Sequence, residues 1–101
     1  MATVNYEKDQ ILQDLVSLLT DMTSDWDMEY DEGIGTKTKL ISDLEFESID
    51  VVQLILAVEE HYGRKKMPFE RLIMRDGRYV DEIVVGDAVD FLHEELNKPV
   101  A

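Results

Sequence analysis

The chain has 101 residues, which is the size of one small domain, and we expect a single domain over residues 1–101. Twenty-three acidic against ten basic residues give a net charge of −13, which argues against nucleic acid or an anionic membrane as a direct ligand. The absence of cysteine excludes disulfides, thiolate metal sites and a cysteine nucleophile. No apolar run reaches the length of about 18 residues that a membrane span needs, and residues 1–10 lack a signal-peptide pattern. A cytoplasmic monomer is expected.

The negative charge is concentrated in the first 60 residues, which hold fifteen acidic and three basic side chains. Between Asp43 and Glu60 there are six acids and no base, whereas the next three charged residues are all basic. A run of one sign is usually a solvated face, and it also attracts basic surfaces of partner proteins.

Apolar residues at helical spacing predict a first helix from about Asn5 to Thr20, with Asn5 as a possible cap. The polar stretch from Asp21 to Asp43, which contains Gly33 and Gly35, is predicted as a long connection. Six apolar residues should attach this connection to the core: Trp26, Met28, Tyr30, Ile34, Leu40 and Ile41.

The second predicted helix is the clearest. Either Ser48 or Glu47 can cap its start, and Gly63 ends it before a basic triplet that suits the negative end of the helix dipole. One apolar face is predicted for this helix, comprising Val51, Val52, Leu54, Ile55, Val58 and Tyr62.

A last helix is predicted from Val85 to Leu96. Between the second and last helices, Pro68 can open a short helical turn through Leu72. Asp76-Gly77 predicts a hairpin that joins Leu72-Ile73-Met74 to Tyr79-Val80.

Residues 43–63 read DLEFESIDVVQLILAVEEHYG, which resembles the acyl carrier protein family. In that family an Asp-Leu pair and a short loop precede Asp-Ser-Leu-Asp, an apolar helix, Glu-Glu, an aromatic residue and glycine. The resemblance implies an all-α, four-helix acyl-carrier-type bundle with a long first loop. This sequence adds an extended connection before the last helix, which can contain the hairpin.

The resemblance further implies that Ser48 is modified. A phosphopantetheinyl transferase would move 4'-phosphopantetheine from coenzyme A onto the hydroxyl, and the terminal thiol of this arm would carry acyl groups as thioesters. The chain would thus be a non-enzymatic carrier for fatty acid, polyketide or related specialised lipid biosynthesis. Its further partners would be acyl-loading and acyl-processing enzymes with basic docking patches.

Helical spacing puts several residues near Ser48 on a partner-facing side: Glu47, Ile49, Asp50, Gln53, Leu56 and Glu60. The sequence departs from the family in three respects. Glu47 stands where the family usually has Asp, Gln53 replaces a common acidic residue, and the stretch from Pro68 to Val85 is several residues longer than usual. These departures indicate a specialised, free-standing carrier, and Glu45-Phe46 disfavours the peptidyl-carrier branch, which usually has a Gly-Gly pair there.

Other interpretations remain open. An unmodified interaction module could use the same acidic helix, with Ser48 left bare. A hydrolase based on Ser48 needs a base within hydrogen-bond reach, but His61 lies thirteen helical residues away, about 20 Å. The acidic stretch from Asp25 to Glu32 has the wrong residues for a calcium loop at the turn and bidentate positions, and the two histidines make a poor metal set, so no metal site is expected.

Overall fold

The computed structural model describes residues 6–24, 33–65 and 67–98. In chain order these residues form α1 (Lys8–Thr23), α2 (Ser48–Tyr62), α3 (Glu70–Ile73), β1 (Met74–Arg75), β2 (Arg78–Tyr79) and α4 (Val85–Leu96). The structure is thus mostly helical with one small antiparallel ribbon, as the sequence indicated.

Helix α1 packs against both α4 and α2, and α3 packs against α4 and β1. The burial of one apolar face from each long helix removes that face from water, which is the main favourable term in folding. The core consists of Ile11, Leu15, Leu19, Leu40, Leu44, Phe46, Leu54, Val58, Phe69, Ile83, Val85, Ala88, Val89, Leu92 and Leu96.

Helix α1 begins later and ends later than the sequence predicted. Glu7 occupies the position before its first turn, and the helix continues to Thr23. The Thr23 hydroxyl donates to the Leu19 carbonyl at 2.8 Å, which lets a polar side chain end the helix inside the core. Asn5, the predicted cap, lies outside the described residues.

The connection before α2 is attached to the segment before α4. Lys39 and Val84 form an antiparallel bridge, in which the Leu40 amide donates to the Ile83 carbonyl and the Val85 amide donates to the Thr38 carbonyl, both at 2.9 Å. Leu40 is buried and Ile34 packs against the core, as predicted. Ile41 is half-buried, and Trp26, Met28 and Tyr30 lie outside the described residues.

Helix α2 ends at Gly63 as predicted, with a left-handed backbone at φ 65° that favours glycine. One prediction about its apolar face was wrong. Leu54 and Val58 are buried, but Val52 is exposed. At about 100° per residue, Val52 lies roughly 120° around the helix from Val58, and it therefore points away from the core.

The predicted hairpin is present, with Met74 paired to Tyr79 and Arg75 paired to Arg78. Asp76 and Gly77 both have positive φ, which is typical of the type I′ turn that Asp-Gly favours. The short helical turn that was predicted through Leu72 is present as α3 and extends to Ile73. The first strand, which was also predicted to include Leu72 and Ile73, is correspondingly shorter. Because helical hydrogen bonds reach Ile73, only two residues remain for β1.

Candidate functional site

Ser48 is the first residue of α2, and Glu47 holds the cap position. The Asp50 carboxylate accepts a hydrogen bond from the Glu47 amide at 2.8 Å, while the Asp50 and Val51 amides donate to the Glu47 carbonyl. This reciprocal arrangement resembles a capping box, with Asp50 in the place of the usual Glu or Gln. Of the two caps that the sequence left open, the structure therefore has Glu47, and the Ser48 side chain is exposed.

The loop that leads to Ser48 is held by alternating side chains. Leu44 and Phe46 are buried in the core, whereas Glu45 and Glu47 are exposed. The Phe46 amide donates to the Leu40 carbonyl at 3.0 Å. Glu45 has φ 58°, a left-handed conformation that is uncommon for a residue other than glycine. This loop presents Ser48 at the surface with two carboxylates just before it.

A cleft of about 400 Å³ opens beside Ser48, between the start of α2 and the hairpin. Glu47 and Ser48 are its polar residues on the α2 side, and Tyr79 lines it on the hairpin side. The other lining residues are apolar: Ile41, Phe46, Val51, Val52, Ile73, Val80 and Ile83. Local sequence patterns did not predict this cleft, because its walls come from segments more than 20 residues apart.

Three apolar side chains stand out of the acidic surface of α2. Ile49, Val52 and Leu56 are 57%, 48% and 58% exposed. They follow one another at intervals of three and four residues, and thus share one side of the helix. An exposed apolar ridge with acidic surroundings suits a partner whose apolar contact is surrounded by basic residues.

The partner residues that the sequence predicted lie in three places. Ile49, Gln53, Leu56 and Glu60 are exposed on the ridge side of α2. Asp50 is half-buried on the flank, and its carboxylate is engaged by the Glu47 amide. Glu47 is exposed at the rim of the cleft.

The Glu82 carboxylate joins two segments of the chain that line the cleft. It accepts hydrogen bonds from the Ile41 amide at 2.8 Å and the Ser42 amide at 3.0 Å, and also from the Ser42 hydroxyl. Burial by itself would raise the pKa of Glu82, but the Ser42 hydroxyl and the amides of Ile41, Ile83 and Ser42 hold it below its ordinary value. Ile41 and Ile83 line the cleft, so Glu82 fixes two of its wall segments relative to each other.

The histidines are remote from Ser48. His61 lies near the opposite end of α2, where its Nε2 is 3.5 Å from the Asp14 carboxylate, and His93 lies near the end of α4. Asp14 also accepts a hydrogen bond from the Tyr62 hydroxyl at 2.7 Å. The pKa of Tyr62 is raised, chiefly by burial and secondly by this hydrogen bond. These contacts join α1 to α2 far from the cleft.

Within residues 6–24, 33–65 and 67–98, no three histidine or carboxylate side chains are grouped as ligands of a metal ion. The acidic stretch that was weighed as a calcium loop lies in 25–32, outside the described residues. None of the described helices has the length and apolar character needed to cross a bilayer.

Comparison of the chain with protein-family models gave no match, and a search among curated proteins gave no significant similarity.

Proposed function

We propose that the protein is an acyl carrier modified at Ser48, with 4'-phosphopantetheine transferred from coenzyme A to the serine hydroxyl. The observation that carries this proposal is the exposed Ser48 at the first position of α2, within the 21-residue pattern that resembles acyl carriers. The arm supplies the thiol that a chain without cysteine lacks, and acyl groups travel on it as thioesters.

The local electrostatics support a phosphodiester at Ser48. Backbone N–H groups and the dipole at the start of a helix favour an anion, and the exposed hydroxyl leaves room for a transferase to approach. Glu45, Glu47 and Asp50 oppose a second negative charge, but exposed charges are screened over about 8 Å at physiological ionic strength. The same carboxylates favour enzymes that approach with basic surfaces.

The ridge of Ile49, Val52 and Leu56 supports docking of such partners on α2. We propose that phosphopantetheinyl transferase and the acyl-loading and acyl-processing enzymes contact this ridge and its acidic border. In this proposal the chain itself carries cargo and catalyses no reaction. His61, thirteen residues along α2 from Ser48, lies about 20 Å away, which is out of reach for a general base.

An unmodified interaction module would use the same ridge, so the ridge favours this second candidate equally. The two candidates differ only in the state of Ser48. In a module of that kind, replacement of Ser48 by alanine leaves function intact.

The test is the intact mass of the protein after incubation with coenzyme A and a promiscuous phosphopantetheinyl transferase. Wild type should gain one phosphopantetheine, and Ser48→Ala should gain none. Ser17→Ala, at an exposed serine of α1, is the matched control and should be modified like wild type. Modification of Ser48→Ala, or an unmodified Ser48 in protein from its natural source, would contradict the carrier function.

A further inference from the structure

We infer that the hairpin formed by β1 and β2 carries a second docking surface, and that this surface binds a short acidic segment of a partner protein. The hairpin surface consists of the cross-strand pair Arg75 and Arg78 and the exposed ring of Tyr79. Its charge is opposite to that of the acidic border of α2, so the two surfaces suit different partner segments. The inference holds whether or not Ser48 carries an arm.

The two arginines lie side by side. Arg75 and Arg78 are directly opposite each other on neighbouring strands, which puts their side chains on one face of the ribbon with Cβ atoms about 5 Å apart. Both are exposed. Like charges directly opposite each other destabilise a ribbon, so this pair does not stabilise the hairpin that carries it. Two neighbouring guanidinium groups can instead bind carboxylates from another molecule through paired hydrogen bonds.

Among the described residues, neither of these guanidinium groups has a carboxylate partner. Lys8, Arg71 and Lys98 all form ion pairs with acidic side chains of α4, whereas no described ion pair involves Arg75 or Arg78. The chain has a net charge of −13, and yet this pair of cations remains without an acid. The pair is therefore available to an acidic group from outside the molecule.

The hairpin holds the surface in a defined shape. The backbone has positive φ at both residues of the Asp76-Gly77 turn, and the Val80 amide donates to the Ile73 carbonyl at 2.8 Å, which continues the pairing toward the bundle. Tyr79 is 74% exposed, the highest value among the exposed large apolar residues described. Tyrosine and arginine are enriched among the side chains that contribute most to protein interfaces, so this surface has the composition of a docking site.

The surroundings limit what can bind there. An open concavity of about 600 Å³ lies beside the hairpin, lined by Arg75, Asp76, Arg78, Tyr79, Val80 and Asp81. Its two aspartates and the net charge of −13 oppose an extended anionic surface, such as a nucleic acid or an anionic membrane. A second copy of this chain brings the same repulsive net charge. A short acidic segment needs only the local contact with the arginines, and it is therefore the occupant that fits.

The position of the hairpin surface gives it a role in selecting partners. Tyr79 and Val80 line both the concavity and the cleft beside Ser48, so the two adjoin. A partner that contacts α2 and the hairpin together must present basic and acidic groups in matching places. A partner with a uniformly basic docking face would meet the two arginines as like charges and would be disfavoured.

The test is a titration of the isotope-labelled 101-residue chain with a hexaglutamate peptide. Backbone amide and arginine side-chain signals are followed by nuclear magnetic resonance at a salt concentration of about 0.15 M, where the general repulsion is screened beyond about 8 Å. Hexaglutamate should shift the signals of Arg75, Arg78 and Tyr79. A hexalysine peptide, the opposite probe, should shift the signals of α2 instead.

Two double variants with the same change of charge locate the site. Arg75→Gln with Arg78→Gln should weaken hexaglutamate binding by about fivefold, a change of about 1 kcal/mol. Lys37→Gln with Lys39→Gln removes the same charge at exposed positions before α2, and binding should stay within about twofold of wild type. If the arginine variant fails to fold, Arg78→Lys decides, because it keeps the charge, loses the planar fork and should still weaken binding.

Hexaglutamate that shifts no hairpin signal would overturn the inference, and so would equal losses of binding in the two double variants, because general charge would then account for the effect. Tighter binding of an oligouridylate through the same arginines would overturn it in favour of a nucleic acid. Self-association that Arg75→Gln with Arg78→Gln abolishes would overturn it in favour of a second copy of the chain. None of these outcomes decides whether Ser48 is modified, which intact mass tests separately.

Discussion

At the scale of single residues, the start of α2 shows why three neighbouring polar side chains have different roles. Glu47 holds the cap position, Asp50 binds the Glu47 amide, and Ser48 is left exposed between them. Asp50 stabilises the helix start in a position that the sequence assigned to partner binding. A carboxylate near a helix N-terminus is favourable by about 0.3 to 1 kcal/mol, so the two roles are compatible.

Glu82 joins the segment before α4 to the connection before α2, so its replacement should weaken that contact. Glu82→Gln removes a charged acceptor of several hydrogen bonds, so we expect the free energy of unfolding to fall by about 1 to 3 kcal/mol at neutral pH. Chemical denaturation measures this difference. Asp81→Asn, at an exposed neighbouring carboxylate, is the control and should change stability by less than about 0.5 kcal/mol.

The effect of Glu82 should depend on pH in one direction. Its pKa is lower in the folded protein than in the unfolded chain, where a Glu has a pKa of about 4.3. The stabilisation is therefore complete above that unfolded value and is lost as the pH falls through the lower folded value. Wild type and Glu82→Gln should differ at pH 7 and converge in acid, and a constant difference across the titration would contradict this account.

At the scale of elements, the contact between the long connection and α4 depends on a glycine in the first turn of α4. The Gly86 amide donates to the Thr36 carbonyl at 2.8 Å. A Cβ at this position would lie 2.9 Å from the Thr36 oxygen, which is too close without a backbone shift. This close approach lets the connection lie directly against α4.

Gly86→Ala should therefore destabilise the protein, although alanine is ordinarily the better helix former by about 1 kcal/mol. We expect the free energy of unfolding to fall by about 1 to 3 kcal/mol, because overpacking displaces the connection. Gly35→Ala is the control, since a Cβ there would meet no atom within 4 Å. An increase in stability for Gly86→Ala in urea denaturation would show that the connection moves aside freely.

At the scale of the whole molecule, the charge of −13 opposes compaction. The described ion pairs of Lys8 with Asp90 and of Lys98 with Glu94 involve exposed side chains, and such pairs contribute little to stability. Most carboxylates therefore add to a general self-repulsion that salt screens.

Added sodium chloride should raise the melting temperature by several degrees between about 0.01 M and 0.15 M, since the screening length falls from about 30 Å to 8 Å. Thermal unfolding by circular dichroism measures the shift. A double variant, Glu59→Gln with Glu60→Gln, carries less negative charge and should show a smaller rise. An unchanged or lower melting temperature in salt would contradict the importance of self-repulsion.

Local patterns were sufficient for the elements themselves. The spacing of apolar residues predicted α1, α2 and α4, Gly63 predicted the end of α2, and Asp76-Gly77 predicted the hairpin turn. These signals act through neighbours a few residues apart: a helical turn, a left-handed backbone or a type I′ turn needs no distant contact. The short range of these signals also explains why Leu72 was assigned both to a helical turn and to a strand, and why Ile73 was assigned to the strand alone, since a short apolar run suits a helix or a strand equally.

Tertiary structure decided what surrounds Ser48. Val52 is exposed because Leu54 and Val58 turn the buried face of α2 away from it, and Tyr79 reaches the cleft because the hairpin folds back from α3. Glu82 binds the amides of Ile41 and Ser42, about forty residues earlier in the chain. Such contacts depend on how whole elements pack together, and no pattern within a few residues encodes them, whereas the serine at the start of an acidic, apolar-faced helix is visible in the sequence alone.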